Sequence, residues 1–285
     1  MNKVYACIDG LSNTHAVIDW AAWAALRLAL PLEFLHVLER HPERAEATDF
    51  SGAIGPDAQD SLLQQLSGED EQRSKSAREA GRSLLAAARE RALKAGPLQL
   101  DARLRHGEFV ATVAEMDPDA ALFVLGEHHH ASGSAKVHTE HHLERAIRAV
   151  RRPVLVATAE AFESPQCIVL AFDGSANARR AVAALAQHAL SAGLPVLLAM
   201  AGLDTSLARR QLDEARVSLA AAGLTVETEL VPGEPQHVLP ELVKAQGPAL
   251  LVMGAYGHSR LRQLIVGSTT STLLRLSKVP VLILR

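Results

Sequence analysis

The stretch LLVMGAYGHSRLRQLIVGSTTST, residues 250–272, joins a buried strand to a helix through glycine-rich sequence. Its apolar start is typical of a buried strand. Gly254 and Gly257 interrupt the apolar pattern, and Gly267 precedes a leucine-rich helical segment. Because glycine has no Cβ, backbone N–H groups can approach an anion closely there, and a helix N-terminus adds N–H groups without partners. The segment predicts a polyphosphate cradle, with an ordinary helix cap and two loop glycines as the alternative.

The elements around this stretch occur twice along the chain. Asp9 and Gly10 follow the first strand of the first half, as Asp173 and Gly174 follow the first strand of the second half. The closing segments RAVRRPVLVA and RLSKVPVLIL match each other as well. A repeat of such a long period predicts two copies of one domain.

Strands alternate with helices in each half, which predicts an α/β protein of two tandem doubly wound parallel-sheet domains, residues 1–159 and 160–285. Such sheets bind ligands at the carboxyl ends of their strands, where the winding reverses. Because Asp173 and Gly254 both follow predicted strands, the cradle is favoured over an ordinary cap. Residues 39 to about 60 are expected to be irregular, and the helical pattern beyond them is interrupted near Ser67-Gly68, so it forms one helix or two.

Composition narrows the classes of function. The formal charge is −3 and the basic residues are scattered, which gives no reason to expect nucleic acid as a partner. Cys7 and Cys167, the only two cysteines, lie on predicted strands, which indicates buried thiols in a reducing compartment. The apolar segment 16–32 carries Asp19 and Arg27 and is too short to span a bilayer, and the N-terminus lacks a secretory signal. We expect a soluble, cytoplasmic protein with no membrane partner.

With these residues in view, the chain resembles a tandem member of the universal stress protein family, over nearly all of its length outside residues 39–75. The spacing Gly254-x2-Gly257-x9-Gly267-Ser268 resembles the ATP-binding pattern of the family's nucleotide-binding branch. The chain has no Walker A sequence and no G-x-G-x-x-G after its first strand, which excludes the P-loop and dinucleotide-binding alternatives. The resemblance implies an adenine nucleotide alpha-hydrolase-like, Rossmann-like fold.

The resemblance also implies an adenine nucleotide, ATP with Mg²⁺, as the ligand. It implies that Asp173 lies near the ribose and the metal-bound phosphates, and that the strand end at Ala199-Met200 covers the adenine. The glycines and hydroxyls of the cradle would hold the phosphates, and His258 or Arg260 either reaches a phosphate or is an exposed loop charge. The predicted nucleotide site comprises Ala171, Asp173, Met200, Met253, Gly254, Gly257, His258, Arg260, Gly267, Ser268 and Thr269.

The first half departs from this pattern. Gly126 is retained, but His129 replaces the second glycine, and Glu140 and His141 stand where the second half has Gly267 and Ser268. A glutamate in this position repels phosphate, and its Cβ blocks close approach. We therefore predict one nucleotide per chain, with the first half serving as the partner domain does in family homodimers. The closing strands of the two halves would then pair within one chain, and Asp9 would be a structural strand-end cap.

Three functions remain in competition. The first is an ATP-binding stress or signalling factor with an unidentified protein partner, and homodimerisation is left open. No general base lies beside the cradle in the sequence, which favours nucleotide binding over rapid hydrolysis. The second is a slow ATP hydrolase or an adenylating enzyme, although Phe172-Asp173-Gly174-Ser175 lacks the Ser-Gly-Gly motif of that class. The third is a scaffold or metal-handling module that uses a histidine-rich face. The simpler interpretation is that these histidines form a solvated loop and a polar helix face. Its histidines would be His106, His128, His129, His130, His138, His141 and His142.

Overall fold

A computed structural model describes residues 2–39, 56–96, 99–127, 134–159, 161–255 and 268–285. The strands are β1 (Lys3–Cys7), β2 (Leu32–Leu38), β3 (Leu100–His106), β4 (Ala120–Gly126), β5 (Val154–Ala157), β6 (Cys167–Ala171), β7 (Val196–Ala201), β8 (Val226–Val231), β9 (Ala249–Gly254) and β10 (Val281–Leu284). The helices are α1 (Thr14–Leu28), α2 (Pro56–Leu93), α3 (Phe109–Met116), α4 (Ser134–Ala149), α5 (Ala176–Gln187), α6 (Ser206–Ala221), α7 (Pro235–Ala245) and α8 (Ser268–Leu276).

The ten strands of the described residues form one sheet in the order β3-β2-β1-β4-β5-β10-β9-β6-β7-β8. Within each half the strands are parallel, and the two halves meet where β5 pairs antiparallel with β10. The predicted α/β class, with doubly wound parallel units, is confirmed. The predicted pairing of the closing strands inside one chain is confirmed too, while the boundary between residues 159 and 160 stays a prediction.

Helices cover both faces of the sheet, which is why its inner strands are almost continuously apolar, while the edge strands β3 and β8 carry charged residues. One layer contains α1, α2, α5 and α6, and its core includes Trp20, Leu85 and Leu185. The other contains α3, α4, α7 and α8, with Val113 and Ile147 in its core. Each layer continues from one half into the other, so the two halves share both cores.

Side-chain contacts join the two halves in addition to the pairing of β5 with β10. The buried Thr158 hydroxyl donates to Val279 O at 2.6 Å, and the ring of Trp20 meets Phe162 edge-on with 4.7 Å between centroids. The Arg27 guanidinium donates to Ala192 O in the second half. Because β5 and β10 pair with each other, neither half presents its closing strand as a free sheet edge.

The predicted interruption near Ser67-Gly68 is wrong, because α2 is one helix of 38 residues. Gly68 is exposed, and a Cβ there would meet nothing within 4 Å, so the residue costs the helix only its propensity, about 1 kcal/mol relative to alanine. The helix begins earlier than expected, at Pro56, a residue favoured at the first helical position because its missing N–H needs no partner there.

Candidate functional site

The second half has its topological switch point between β6 and β9. From β6 the chain winds outward through β7 to β8 and then returns to β9 on the other side of β6. The register pairs Leu170 with Val252, which places Phe172 level with Gly254 at the carboxyl edge of the sheet. Asp173 and Gly254 therefore lie on neighbouring strand ends, as the sequence predicts.

Asp173 begins the tight turn that leads into α5, and this turn places the N-terminus of α5 at the carboxyl edge of the sheet. Its Oδ1 accepts the backbone N–H of Ser175 at 2.9 Å, and the Ser175 hydroxyl accepts the N–H of Ala178 at 3.1 Å as the N-cap of α5. Gly174 between them has φ of 71°, a left-handed conformation that favours glycine. The sequence Asp-Gly-Ser thus produces an exposed carboxylate beside a capped helix N-terminus.

Gly254 lets β9 approach the first turn of α5. A Cβ at this residue would lie 2.7 Å from Asn177 O and 2.9 Å from Asn177 C, closer than real Cβ atoms come to backbone. Glycine is therefore required here for packing against α5. Its contact with phosphate stays a prediction.

The other predicted residues fall into three groups. Met200 and Met253 are 5% and 4% exposed and pack into the two opposite core layers, so their side chains serve the core. Ala171 ends β6 and is half-buried. Gly257, His258, Arg260 and Gly267 lie outside the described residues, while Ser268 and Thr269 open α8 and nothing is described of their side chains.

The N-terminus of α8 lies at the same edge by topology. Because β9 and β10 are parallel, the connecting helix must run back from the carboxyl edge to the amino edge. Two helix N-termini, those of α5 and α8, thus meet one sheet edge together with Asp173. Unpaired N–H groups and the positive ends of helix dipoles make such an edge suitable for an anion.

The equivalent edge of the first half is built differently. Asp9 Oδ1 accepts from the backbone of Leu11 at 2.9 Å and from the Thr14 hydroxyl at 3.3 Å, so it caps the strand end as predicted. Glu140 and His141 lie well inside α4, which starts at Ser134. Backbone N–H groups that far into a helix bond to carbonyls of the preceding turn.

A cavity of about 470 Å³, which the sequence does not predict, lies at this first-half edge. His36, Glu39 and Arg78 line it among others. Arg78 is about forty residues from the other two and the three match no motif, so only the tertiary packing of α2 beside the strand ends brings them together. No signal in the sequence pattern marks them.

The remaining candidate chemistry is limited. Among the described residues, no three His, Cys, Asp or Glu side chains are grouped to hold a metal ion; His128, His129 and His130 lie outside them, as do the side chains of His138 and His141. Burial, with a smaller contribution from the Asp9 carboxylate, raises the pKa of the Cys7 thiol to about 12. Burial raises the pKa of Cys167 as well. Neither thiol is a ready nucleophile at neutral pH.

Within the described chain, no helix is both long enough and apolar enough to span a membrane.

Fold and site together define a tandem α/β protein of the adenine nucleotide alpha-hydrolase-like class. The sequence profile of the Universal stress protein family matches residues 1–158 and 166–285. Universal stress protein Slr1230 of Synechocystis sp. is 30% identical over 288 residues, covering 100% of both chains. The crystal structure of a universal stress protein from Archaeoglobus fulgidus covers 100% of this chain and 96% of its own, with a TM-score of 0.66 at 17% identity, and shares the fold. The chain belongs to the universal stress protein family.

Proposed function

We propose that the second half binds one adenine nucleotide, ATP with Mg²⁺, and that nucleotide occupancy serves stress signalling rather than rapid turnover. The observation that carries the proposal is the meeting of Asp173, Gly254 and two helix N-termini at the switch point between β6 and β9. Ligands of doubly wound sheets bind at this position. A carboxylate beside helix N-termini suits a ligand that combines hydroxyls, a divalent cation and phosphates.

The Asp173 carboxylate has one oxygen to offer. Oδ1 is occupied by the Ser175 N–H, and the side chain is exposed at the sheet edge. Oδ2 is therefore positioned to accept a ribose hydroxyl or to ligate a hydrated Mg²⁺, which prefers carboxylate and phosphate oxygens. The phosphates would be held by backbone N–H groups of the segment that leads into α8.

The first half is proposed to bind no nucleoside triphosphate. Glu140 brings a negative charge to the position that the second half fills with Gly267. Its backbone and that of His141 belong to the interior of α4, so their N–H groups are already bonded. A phosphate would meet repulsion and few donors, hence one nucleotide per chain.

Binding without rapid hydrolysis is favoured by the acidic groups that the structure describes at this edge. Asp204, in the loop after β7, accepts from Arg209 Nε at 2.6 Å. Hydrogen bonding to Arg209 holds the pKa of Asp204 below its usual value, which makes this carboxylate a poor general base. Asp173 is committed to the turn and to the nucleotide in this proposal.

The test uses Asp173→Asn and its matched control Asp9→Asn in the first half. Asparagine keeps Oδ1 as an acceptor for the turn and removes the charge, so both variants should fold. We expect calorimetry to give one MgATP per chain, with affinity lowered about tenfold or more in Asp173→Asn, the usual loss for a charged hydrogen-bonding partner, and unchanged in Asp9→Asn.

Gly267→Glu, which copies the first half, should abolish binding. Two nucleotides per chain, or equal losses in Asp173→Asn and Asp9→Asn, would overturn the assignment of a single site. Product analysis by chromatography over several hours should show at most slow formation of ADP or AMP.

A further inference from the structure

In each half, the helix that follows the second strand packs a side chain on the glycine of the first strand-end turn. In the first half, a Cβ added at Gly10 would lie 3.6 Å from Leu84 Cδ2 of α2. In the second half, a Cβ added at Gly174 would lie 2.9 Å from Gln211 Cδ of α6, and the carboxamide oxygen is closer still. The two halves thus place an apolar side chain and a carboxamide at equivalent points.

We propose that Gln211 binds the base of the nucleotide and selects adenine. Its carboxamide oxygen accepts from the N6-amino group of the base, and its NH₂ group donates to a neighbouring ring nitrogen. This proposal rests on the nucleotide site proposed at Asp173 and adds the residue that determines its specificity. Three features support it: the order of the groups along the sheet edge, the direction of the Gln211 side chain, and its hydrogen-bonding capacity.

The proposed contacts lie along the sheet edge in the same order as the parts of a nucleotide. The strands β9, β6 and β7 are neighbours in this order. The helix α8 with its proposed phosphate contacts follows β9, Asp173 follows β6, and α6 follows β7. Neighbouring strands are about 4.8 Å apart, so β7 is about 10 Å from β9. An extended nucleotide with its phosphates at α8 and its ribose at Asp173 therefore directs its base towards β7 and α6.

The helix α6 brings the Gln211 side chain to this edge. It follows β7 after a short loop, and the Thr205 hydroxyl accepts the Ala208 N–H at 3.1 Å as its N-cap. Side chains on a helix lean towards its N-terminus, which here is the end at the carboxyl edge of the sheet. The contact of Gln211 with Gly174 shows that the carboxamide reaches the turn that begins at Asp173.

Packing of α5 against α6 holds Gln211 in place. Val182 of α5 and Leu212 of α6 are buried in the same core cluster. On the exposed side of this pair of helices, Arg179 Nη1 lies 3.8 Å from Glu214 Oε2. The carboxamide therefore stands on a packed helix rather than on a loop, and a base would meet it with little loss of conformational freedom.

The Gln211 carboxamide has the hydrogen-bonding groups that adenine requires. The side chain is half-buried and makes no hydrogen bond to another described residue. A carboxamide combines an oxygen acceptor with two N–H donors. Adenine presents an amino donor beside a ring-nitrogen acceptor, the pattern that glutamine pairs with bidentately. Leu84 at the equivalent point offers neither group, in keeping with the proposed absence of a nucleotide from the first half.

Gln211→Met tests this pairing, because methionine has a similar length, fills the space against Gly174 and removes both hydrogen-bonding groups. The probes are ATP and purine riboside triphosphate, which lacks only the N6-amino group. In calorimetry with Mg²⁺, the unchanged chain should bind ATP about three- to tenfold more tightly than purine riboside triphosphate, the usual value of one hydrogen bond. In Gln211→Met the ratio of the two affinities should fall towards one.

Leu84→Met is the matched control, since it introduces the same side chain at the equivalent point of the first half. It should leave both affinities and their ratio unchanged. Urea denaturation should give Gln211→Met the stability of the unchanged chain, because the packing on Gly174 is kept. Gln211→Leu, which copies the first half, should lose the preference for ATP in the same way.

The outcomes separate this proposal from the nucleotide site itself. A preference for ATP that persists in Gln211→Met would overturn the role of Gln211. So would equal losses of both ligands with an unchanged ratio, because residue 211 would then only support the turn. In both cases ATP binding that is weakened by Asp173→Asn leaves the nucleotide site in place. Failure of the unchanged chain to bind either triphosphate would overturn the nucleotide site, and the role of Gln211 with it.

Discussion

Replacing Gly254 with alanine tests whether the end of β9 and the start of α5 are as close as the structure has them. The added methyl group would lie 2.7 Å from Asn177 O, 2.9 Å from Asn177 C and 3.2 Å from Ala178 N. Carbon atoms in contact prefer about 3.5 to 4.0 Å. The three neighbours are backbone atoms that cannot rotate away, so the first turn of α5 must shift by several tenths of an ångström.

The size of the effect follows from two opposing terms. Overpacking of this kind costs about 1 to 3 kcal/mol. Replacing glycine in a strand by alanine returns about 0.5 to 1 kcal/mol through the lower conformational entropy of the unfolded chain. We expect a net loss of about 1 to 2 kcal/mol in the free energy of unfolding, or a fall in Tm of about 2 to 8 °C.

Urea denaturation followed by far-UV circular dichroism measures this loss. Gly68→Ala is the matched control, because the same methyl group there meets open space in an exposed helix and should stabilise the protein by up to about 1 kcal/mol. The two identical chemical changes are thus expected to have opposite signs. A neutral or stabilising Gly254→Ala would refute the close packing of β9 on α5, and with it the position of the α5 N-terminus at the proposed nucleotide site.

Two further substitutions test the contact between the halves at Thr158 and the half-buried His188. Thr158→Val removes the 2.6 Å hydrogen bond to Val279 O and should lower the free energy of unfolding by about 1 to 3 kcal/mol. The urea transition should stay single, because the two halves share their cores. Separate transitions for the two halves would contradict the shared cores. Burial lowers the pKa of His188, whose neutral Nδ1 accepts the N–H of Leu190 at 3.3 Å, so the unfolded chain binds the proton more readily. Stability should therefore fall as the pH drops below about 6.5, by at most about 1.4 kcal/mol per pH unit, and His188→Asn should flatten this dependence in urea titrations at pH 7.5 and 5.5.

The sequence predicts the framework of the fold because the signals are local and repeated. Apolar runs followed by Asp-Gly or Gly mark the strand ends in both halves, and the internal repeat supplies the domain count. The pairing of β5 with β10 was predicted from the family resemblance, which implies that the closing strands of two domain copies pair, and not from the residues of the two strands. The length of α2 could not, since the cost of Gly68 in an exposed helix is too small to end it.

The candidate nucleotide site and the first-half cavity also differ in how far the sequence predicts them. Asp173 and Gly254 could be placed together because parallel strand ends meet at one edge. The packing role of Gly254 could not be predicted, because it depends on how near α5 comes. The cavity around His36 and Glu39 depends on contacts between residues far apart in the chain, Gly81 with His36 of β2 and with Leu104 of β3, and no periodic pattern in the chain encodes them.

The antiparallel pairing of β5 with β10 also separates the two sites. Because the strands of the second half run opposite to those of the first, the carboxyl ends of the two half-sheets lie on opposite edges of the ten-stranded sheet. A nucleotide at Asp173 would then lie at the edge opposite the first-half cavity. In a symmetric homodimer both edges must carry identical residues, so a change that removes phosphate binding removes it twice. A tandem chain has no such restriction, so its two edges can differ, as the 38-residue α2 of the first half and the 16-residue α6 of the second half do.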